Sequence, residues 1–267
     1  MATKYFQWQR YWRPRGSSLL YGESGFLFSP GGYNPDSLPF ERIANSPCLV
    51  LLGEPGMGKS HAIKAEREGI DEKAKLLGDD VLWLDLRAYG SEDRLVNDLF
   101  KSPIFQTWIG GTHKLHIFLD SFDECQIAIK PLASLLADEL EKHQPQAERL
   151  ILRIACRTAD WPDLLETALY KMFGNGSVKV YELAPLTRED VRTATIAEGF
   201  DSDLFLEEVD RREAGPLAAK PVTLRLLLNI YRNGGSLPTS QISYPAKSIW
   251  YFEPIPLRTM LSIRRRA

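Results

Sequence analysis

Eight consecutive residues, Gly53-Glu54-Pro55-Gly56-Met57-Gly58-Lys59-Ser60, concentrate the clearest chemistry in the chain. They fill the pattern G-x-x-x-x-G-K-[ST], directly after an apolar run at residues 47–52 and directly before a helical stretch. That context separates a phosphate-cradling loop from a chance Gly-rich turn. Gly53, Gly56 and Gly58 let the backbone curl so that successive N–H groups face phosphate oxygens. A helix beginning near Gly58 adds the positive end of its dipole. Lys59 is expected to reach the β- and γ-phosphates of a nucleotide, and the Ser60 hydroxyl to ligate Mg²⁺. His61, the next residue, is grouped with the loop as a nucleotide contact.

Such a loop needs an acidic metal partner on a neighbouring strand. The apolar run Leu115–Asp120 ends in a carboxylate and is followed by Ser121-Phe122-Asp123-Glu124. Asp120 is expected to hold Mg²⁺, directly or through water. Asp123 and Glu124 are placed to orient or deprotonate an attacking water. Arg157 follows a further apolar run at Leu150–Cys156. There it lies at the carboxyl edge of a parallel sheet, where ligands bind. It is expected to sense or stabilise a γ-phosphate, the alternative being a surface ion pair. Arg153, inside the run, reads as structural.

The elements that must position these residues follow a regular rhythm. Strands are expected at residues 47–52 and 81–86 and at Leu115–Asp120, Leu150–Cys156 and Val178–Leu183. Helices are expected between them: 58–77, a Ser91-capped stretch to 100, 131–143 and Asp163–Phe173. This alternation predicts an α/β fold, a parallel central sheet with helices on both faces. The strand at 81–86 implies the arrangement in which an extra strand separates the phosphate-loop strand from the metal strand, found in many hydrolytic ATPases. After Pro185 the texture becomes helical, with a capping-box-like start at Thr187-Arg-Glu-Asp190 and helices at 191–198, 202–212 and 221–233. Four regions result: an aromatic strap (1–45) with loop chemistry at 31–36, the phosphate-loop core (46–184), a helical subdomain (185–240) and an irregular tail (241–267). The aromatics of the strap, Trp8, Trp12, Phe26 and Phe28, read as packing onto a domain, with a base- or peptide-stacking surface as the sharper alternative.

Composition bounds the function. Over 267 residues, 44% are hydrophobic and 25% charged, with a net charge of −2, so no global electrostatic case exists for nucleic-acid binding. The three cysteines, Cys48, Cys125 and Cys156, form no C-x-x-C pair and read as small buried hydrophobes. His113 and His116 lack a second ligand pair. The basic, aromatic amino terminus resembles neither a signal peptide nor a membrane span, so the cytoplasm is expected.

These residues also carry a family resemblance. The runs Gly-Glu-Pro-Gly-Met-Gly-Lys-Ser at 53–60, Leu-Asp-Ser-Phe-Asp-Glu at 119–124 and Ala-Cys-Arg-Thr at 155–158 resemble the NACHT branch of the STAND NTPases. In that branch a small residue follows the metal aspartate and two acids come slightly later, whereas AAA+ proteins usually place Glu where Ser121 stands here. Leu183-Ala-Pro-Leu-Thr187 and Lys220-Pro-Val-Thr-Leu-Arg-Leu-Leu227 resemble the lead-in and proline-bearing helix of the helical subdomain. The resemblance places Pro221 near the adenine. Trp8, Arg10, Trp12, Arg13 and Pro14 resemble, less specifically, the lead-in of bacterial NACHT proteins.

The resemblance spans roughly residues 45–235. It implies a switch using ATP and Mg²⁺, closed with ADP, open and homo-oligomeric with ATP, often in innate immunity or anti-phage defence. STAND proteins normally continue into winged-helix and sensor-repeat regions. None is read here, so a truncated member or a stand-alone fragment is expected, with its effector or sensor partner undetermined. Two other functions remain open: an AAA+ mechanical ATPase, and a nucleotide-binding scaffold without turnover. Absence of an N-K-x-D motif favours adenine over guanine.

Overall fold

Cys48–Leu52 is apolar and buried at every position, as a strand covered on both faces must be. It lies at the centre of a computed structural model that describes residues 8–22, 24–28 and 34–238. The readings for residues 1–7, for 31–33 of the strap loop and for the tail from 239 lie outside the described residues. The described strands are β1 (Tyr11–Pro14), β2 (Leu38–Pro39), β3 (Cys48–Leu52), β4 (Asp80–Asp85), β5 (Leu115–Asp120), β6 (Leu150–Cys156) and β7 (Val178–Leu183). They form one sheet in the order β2-β1-β7-β3-β6-β5-β4. From β7 to β4 all pairings are parallel; β1 runs antiparallel to β7 and to β2.

An extra strand does separate β3, which leads into the loop at residues 53–60, from β5, which was expected to carry the metal ligand. It is β6, late in sequence, that fills this place, while the strand expected at 81–86 lies outside β5 at the sheet edge. Sequence order placed it between the two motifs, but crossover connections decide spatial order. The result is the α/β fold of P-loop NTPases with this inserted strand.

Helices cover both faces. Cys48, Val50 and Leu52 join one core with residues of α4 (Glu92–Leu99), α5 (Pro103–Gly110), α6 (Phe122–Ala128), α7 (Leu132–Glu141) and α8 (Asp163–Phe173). Leu49 and Leu51 point the other way, into a second core with Phe40 and Ile43 of α1 (Phe40–Ile43) and Ala62 and Ile63 of α2 (Lys59–Ala65). Ile70 of α3 (Arg67–Leu77) packs at its margin. Truncating Leu51 to Ala would cost about 2–5 kcal/mol, as for other fully buried leucines.

The helix expected over 58–77 is two helices. Glu66 bonds back to the Ile63 and Lys64 carbonyls, closing α2, and α3 starts after it. Helices α5 and α6 were not expected. The strap, read as irregular, contributes β1 and β2 to the sheet and α1 to the second core.

Beyond β7 the chain forms α9 (Arg188–Ala197), α10 (Ser202–Arg211), α11 (Gly215–Ala218) and α12 (Pro221–Gly234). The Thr187–Asp190 capping box forms, with each side chain bonding the other residue's backbone N–H. This helical region has its own core, centred on Leu186, Val191, Phe205, Val209, Leu224 and Leu228, to which Phe26 of the strap adds its ring. Strap, sheet and helical region all belong to one unit, Met1–Leu237. No described helix is long and apolar enough to cross a membrane.

Candidate functional site

Strand β3 ends at Leu52, and the loop that follows turns left-handed twice. Gly56 has φ 78° and Gly58 φ 85°, conformations that would strain any residue with a Cβ. Gly58 is the N-cap of α2, so the first helical N–H groups open towards the loop. Met57 between the two glycines buries its side chain in the second core, which anchors the loop.

Lys59 and Ser60 begin α2. The Lys59 ammonium donates to the Gly53 carbonyl of its own loop, and burial pulls its pKa down while Asp123 pulls it up. The Ser60 hydroxyl donates to Asp120 Oδ1 at 2.9 Å, so the two expected metal ligands meet across β3, β6 and β5. The other Asp120 oxygen, Oδ2, is buried and has no hydrogen-bond partner. A buried, ionisable oxygen left unpaired calls for an ion or an ordered water. The hard oxygen donors Ser60 and Asp120 suit Mg²⁺, which keeps several waters and takes one or two protein oxygens beside phosphate. Among the described residues no group of three His, Cys, Asp or Glu that could hold a metal ion is found.

Immediately after Asp120 the chain passes through Ser121 in the left-handed region, φ 62° and ψ 43°. A non-glycine residue there is under local strain. The turn starts α6 at once and sets its first acids against the loop. Asp123 is buried and fully engaged with Arg157: Oδ1 accepts the Arg157 backbone N–H at 3.1 Å, and Oδ2 faces the guanidinium Nε at 2.8 Å. Glu124 is exposed in the same cleft. The two acids, read as equivalent in sequence, thus differ: one holds an arginine and the other faces open space. A cleft of about 330 Å³ brings together Glu54, Pro55, Gly56, Gly58, Lys59, Ser60, His61, Asp120, Asp123, Glu124 and Arg157. Gly53 and Met57 form the floor of the same loop, both buried.

A second cavity of about 490 Å³ adjoins the first at Gly56, Gly58 and His61. Its other walls come from the strap (Trp8, Arg10, Trp12), from Phe40 and from Pro221, Val222 and Leu224 of α12. Pro221, which the resemblance placed near an adenine, lines this cavity together with Gly56 and Gly58 of the loop. The strap aromatics both pack and line a pocket: Trp12 is fully buried, whereas Trp8 is half-buried and donates its indole N–H to the Asp190 carbonyl at 3.0 Å. Helix α12 closes directly on the loop. A Cβ at Gly56 would meet Val222 Cγ1 at 2.3 Å, and the Val222 N–H reaches the Gly56 carbonyl at 3.4 Å.

Sequence reading gave Arg10 no role, yet its guanidinium donates to the Met57 carbonyl and to the Ala184 carbonyl, both at 2.8 Å. Burial pulls its pKa down to about 10, opposed by Asp190. Beyond its place in the lead-in resemblance nothing local marks what it does, because its partners lie 47 and 174 positions away. Arg153 is structural, as read: buried within β6, it donates to the Ala44, Pro47 and Leu152 carbonyls. Cys48, Cys125 and Cys156 are free and buried.

Comparison with protein-family models finds no match, and comparison with curated proteins finds none either. Solved structures of similar fold include Aeropyrum pernix ORC1 in complex with DNA, at 17% identity and a TM-score of 0.47, covering 76% of this chain and 63% of that one. Pyrobaculum aerophilum Cdc6p matches at 17% identity and a TM-score of 0.44, covering 73% and 59%. The Thermotoga maritima RuvB Holliday junction branch migration motor matches at 14% identity and a TM-score of 0.38, covering 73% and 58%. The chain spans about three fifths of the length of these structures, and the likeness is one of fold.

Proposed function

We propose that this chain binds ATP with Mg²⁺ and hydrolyses it slowly, as a nucleotide-controlled switch of the NACHT kind that oligomerises with ATP and serves in anti-phage defence. The observation that carries the reading is the Ser60–Asp120 hydrogen bond with Asp120 Oδ2 left buried and unpaired. Loop N–H groups and Lys59 would take the β- and γ-phosphates, with Lys59 exchanging its Gly53 carbonyl for phosphate oxygen. Ser60 and Asp120 would hold Mg²⁺, which neutralises charge on the β- and γ-oxygens. Glu124, open to the cleft, is the better placed of the two acids to take a proton from water. Asp123 holds Arg157 towards the γ-phosphate position. The aromatic cavity beside the loop suits a purine, with Pro221 on one side and Trp8 on another. Because α12 touches Gly56, a bound nucleotide would bear on the helical region directly.

A second reading is an AAA+-like mechanical ATPase. The direct contact of α12 with the loop favours it equally, since that contact would convert nucleotide state into motion as readily as into a signal. Turnover and mass in solution separate the two. A switch shows slow turnover indifferent to DNA and a larger mass with ATP than with ADP; a motor shows turnover stimulated by its polymer. Bound nucleotide without turnover selects a scaffold. For the shared premise, calorimetric titration of Mg²⁺-ATP into wild type and Lys59→Ala is decisive: binding by the first and none by the second is expected, and equal binding by both would refute it.

A further inference from the structure

Arg10 is the feature that the site's chemistry leaves unexplained. It stands on the strap, just before β1, and its two guanidinium bonds reach the Met57 carbonyl and the Ala184 carbonyl. Ala184 is itself fixed, because its N–H bonds the Tyr11 carbonyl in the β1–β7 ladder. The guanidinium is thus clamped between the sheet edge and the loop. Trp8, two residues earlier, ties the same segment to α9 through the Asp190 carbonyl.

The Met57 carbonyl belongs to the peptide unit whose N–H is that of Gly58. No peptide bond here is cis, and in a trans peptide the carbonyl and the following N–H point in opposite directions. Holding the Met57 oxygen towards Arg10 therefore turns the Gly58 N–H away from the strap guanidinium, and Gly58 also lines the cleft that Lys59 and Ser60 share. Gly58 is left-handed at φ 85°, the conformation in which successive N–H groups converge on an anion. A Cβ there would lie 3.4 Å from Arg10 Nη1, an ordinary contact, so it is the left-handed backbone and not the space that calls for glycine.

The geometry points to Arg10 as a positioning residue that presets the phosphate loop by holding the Met57–Gly58 peptide in its anion-binding orientation. The inference rests on the phosphate-loop reading above and adds to it that the strap is part of the site. Arg10 itself touches no phosphate in this scheme. Its action is on the anion-binding half of the site, so its loss should weaken a phosphate ligand far more than a nucleoside.

The test compares ADP, inorganic pyrophosphate and adenosine as ligands of the full chain by calorimetry, for wild type, Arg10→Met, Arg10→Lys and Lys59→Ala. Losing a charged hydrogen bond that orients the loop should weaken ADP and pyrophosphate by about tenfold to a hundredfold in Arg10→Met. Arg10 also lines the cavity assigned to the purine, so adenosine affinity should fall as well, but by less than pyrophosphate affinity. Arg10→Lys, which keeps one donor, should recover part of the pyrophosphate affinity. If Arg10→Met does not fold, Arg10→Lys alone still decides, through a pyrophosphate loss exceeding its adenosine loss. Equal losses for pyrophosphate and adenosine in the folded variant would make Arg10 merely structural and overturn the inference. So would wild-type pyrophosphate affinity in Arg10→Met while Lys59→Ala has lost it. Undiminished binding by Lys59→Ala would instead refute the phosphate-loop reading on which the inference stands.

Discussion

The two edges of the parallel sheet carry similar residue types in opposite condition. At the amino edge, polar groups complete one another. Asp79 accepts the Lys114 N–H at 2.9 Å and faces His116 at 3.4 Å, and Asp80 faces His113 at 2.9 Å. At the carboxyl edge the groups are left part-finished. Asp120 has one oxygen on Ser60 and another with no partner, Lys59 rests on a carbonyl of its own loop, and Glu124 is exposed. Charge alone does not distinguish the edges. An unfinished carboxylate does: Asp120 Oδ2 is the sole ionisable oxygen among the buried, unpartnered side-chain atoms of the described residues, a costly condition unless something arrives to complete it.

Substitutions at the two edges should therefore differ in kind. The largest effect is expected for Glu124→Gln, which should lower ATP turnover by about 10²–10⁴-fold while ATP still binds. A phosphate-release assay beside a binding titration reads both, and normal turnover would remove Glu124 from the reaction. Next comes Arg157→Met, which strips a partner from the buried Asp123 carboxylate and should lower stability by about 1–3 kcal/mol in urea unfolding. The backbone N–H of residue 157 still bonds Asp123, so a complete loss of folding is not expected. The smallest effect belongs to the amino edge. Asp80→Asn, at a partly exposed pair with His113, should change stability by about 0.2–1 kcal/mol and leave nucleotide affinity and turnover untouched. A turnover defect in Asp80→Asn would erase the contrast between the edges.

Much of this arrangement was legible in sequence. Leu115–Asp120 and Leu150–Cys156 are strands with the bounds read from their largely apolar, buried runs, and Val178–Leu183, which interleaves Lys179 and Glu182 with apolar residues, also has the bounds read for it. The loop at residues 53–60 and the strand ending in Asp120 were legible because their signals are local: glycines, a lysine and a hydroxyl at fixed spacing, and an apolar run closed by a carboxylate. Helix α5 could have been found, for Ser102 caps it and Pro103 opens it. Helix α6 was hidden by the acidic motif it carries and by the left-handed turn at Ser121, which no Gly announces. What sequence could not supply was pairing at a distance. That Asp123 faces Arg157, that β6 enters between β3 and β5, and that Arg10 reaches Met57 all depend on how the strands cross over.

The central claim is that Ser60 and Asp120 form half of a metal site completed by the nucleotide. ATP affinity measured by calorimetry with and without Mg²⁺, in wild type and Asp120→Asn, tests it most directly. Wild type should bind ATP about tenfold or more tightly with Mg²⁺, and Asp120→Asn should lose that advantage while keeping its metal-free affinity. A Mg²⁺ advantage that survives intact in Asp120→Asn would contradict the account.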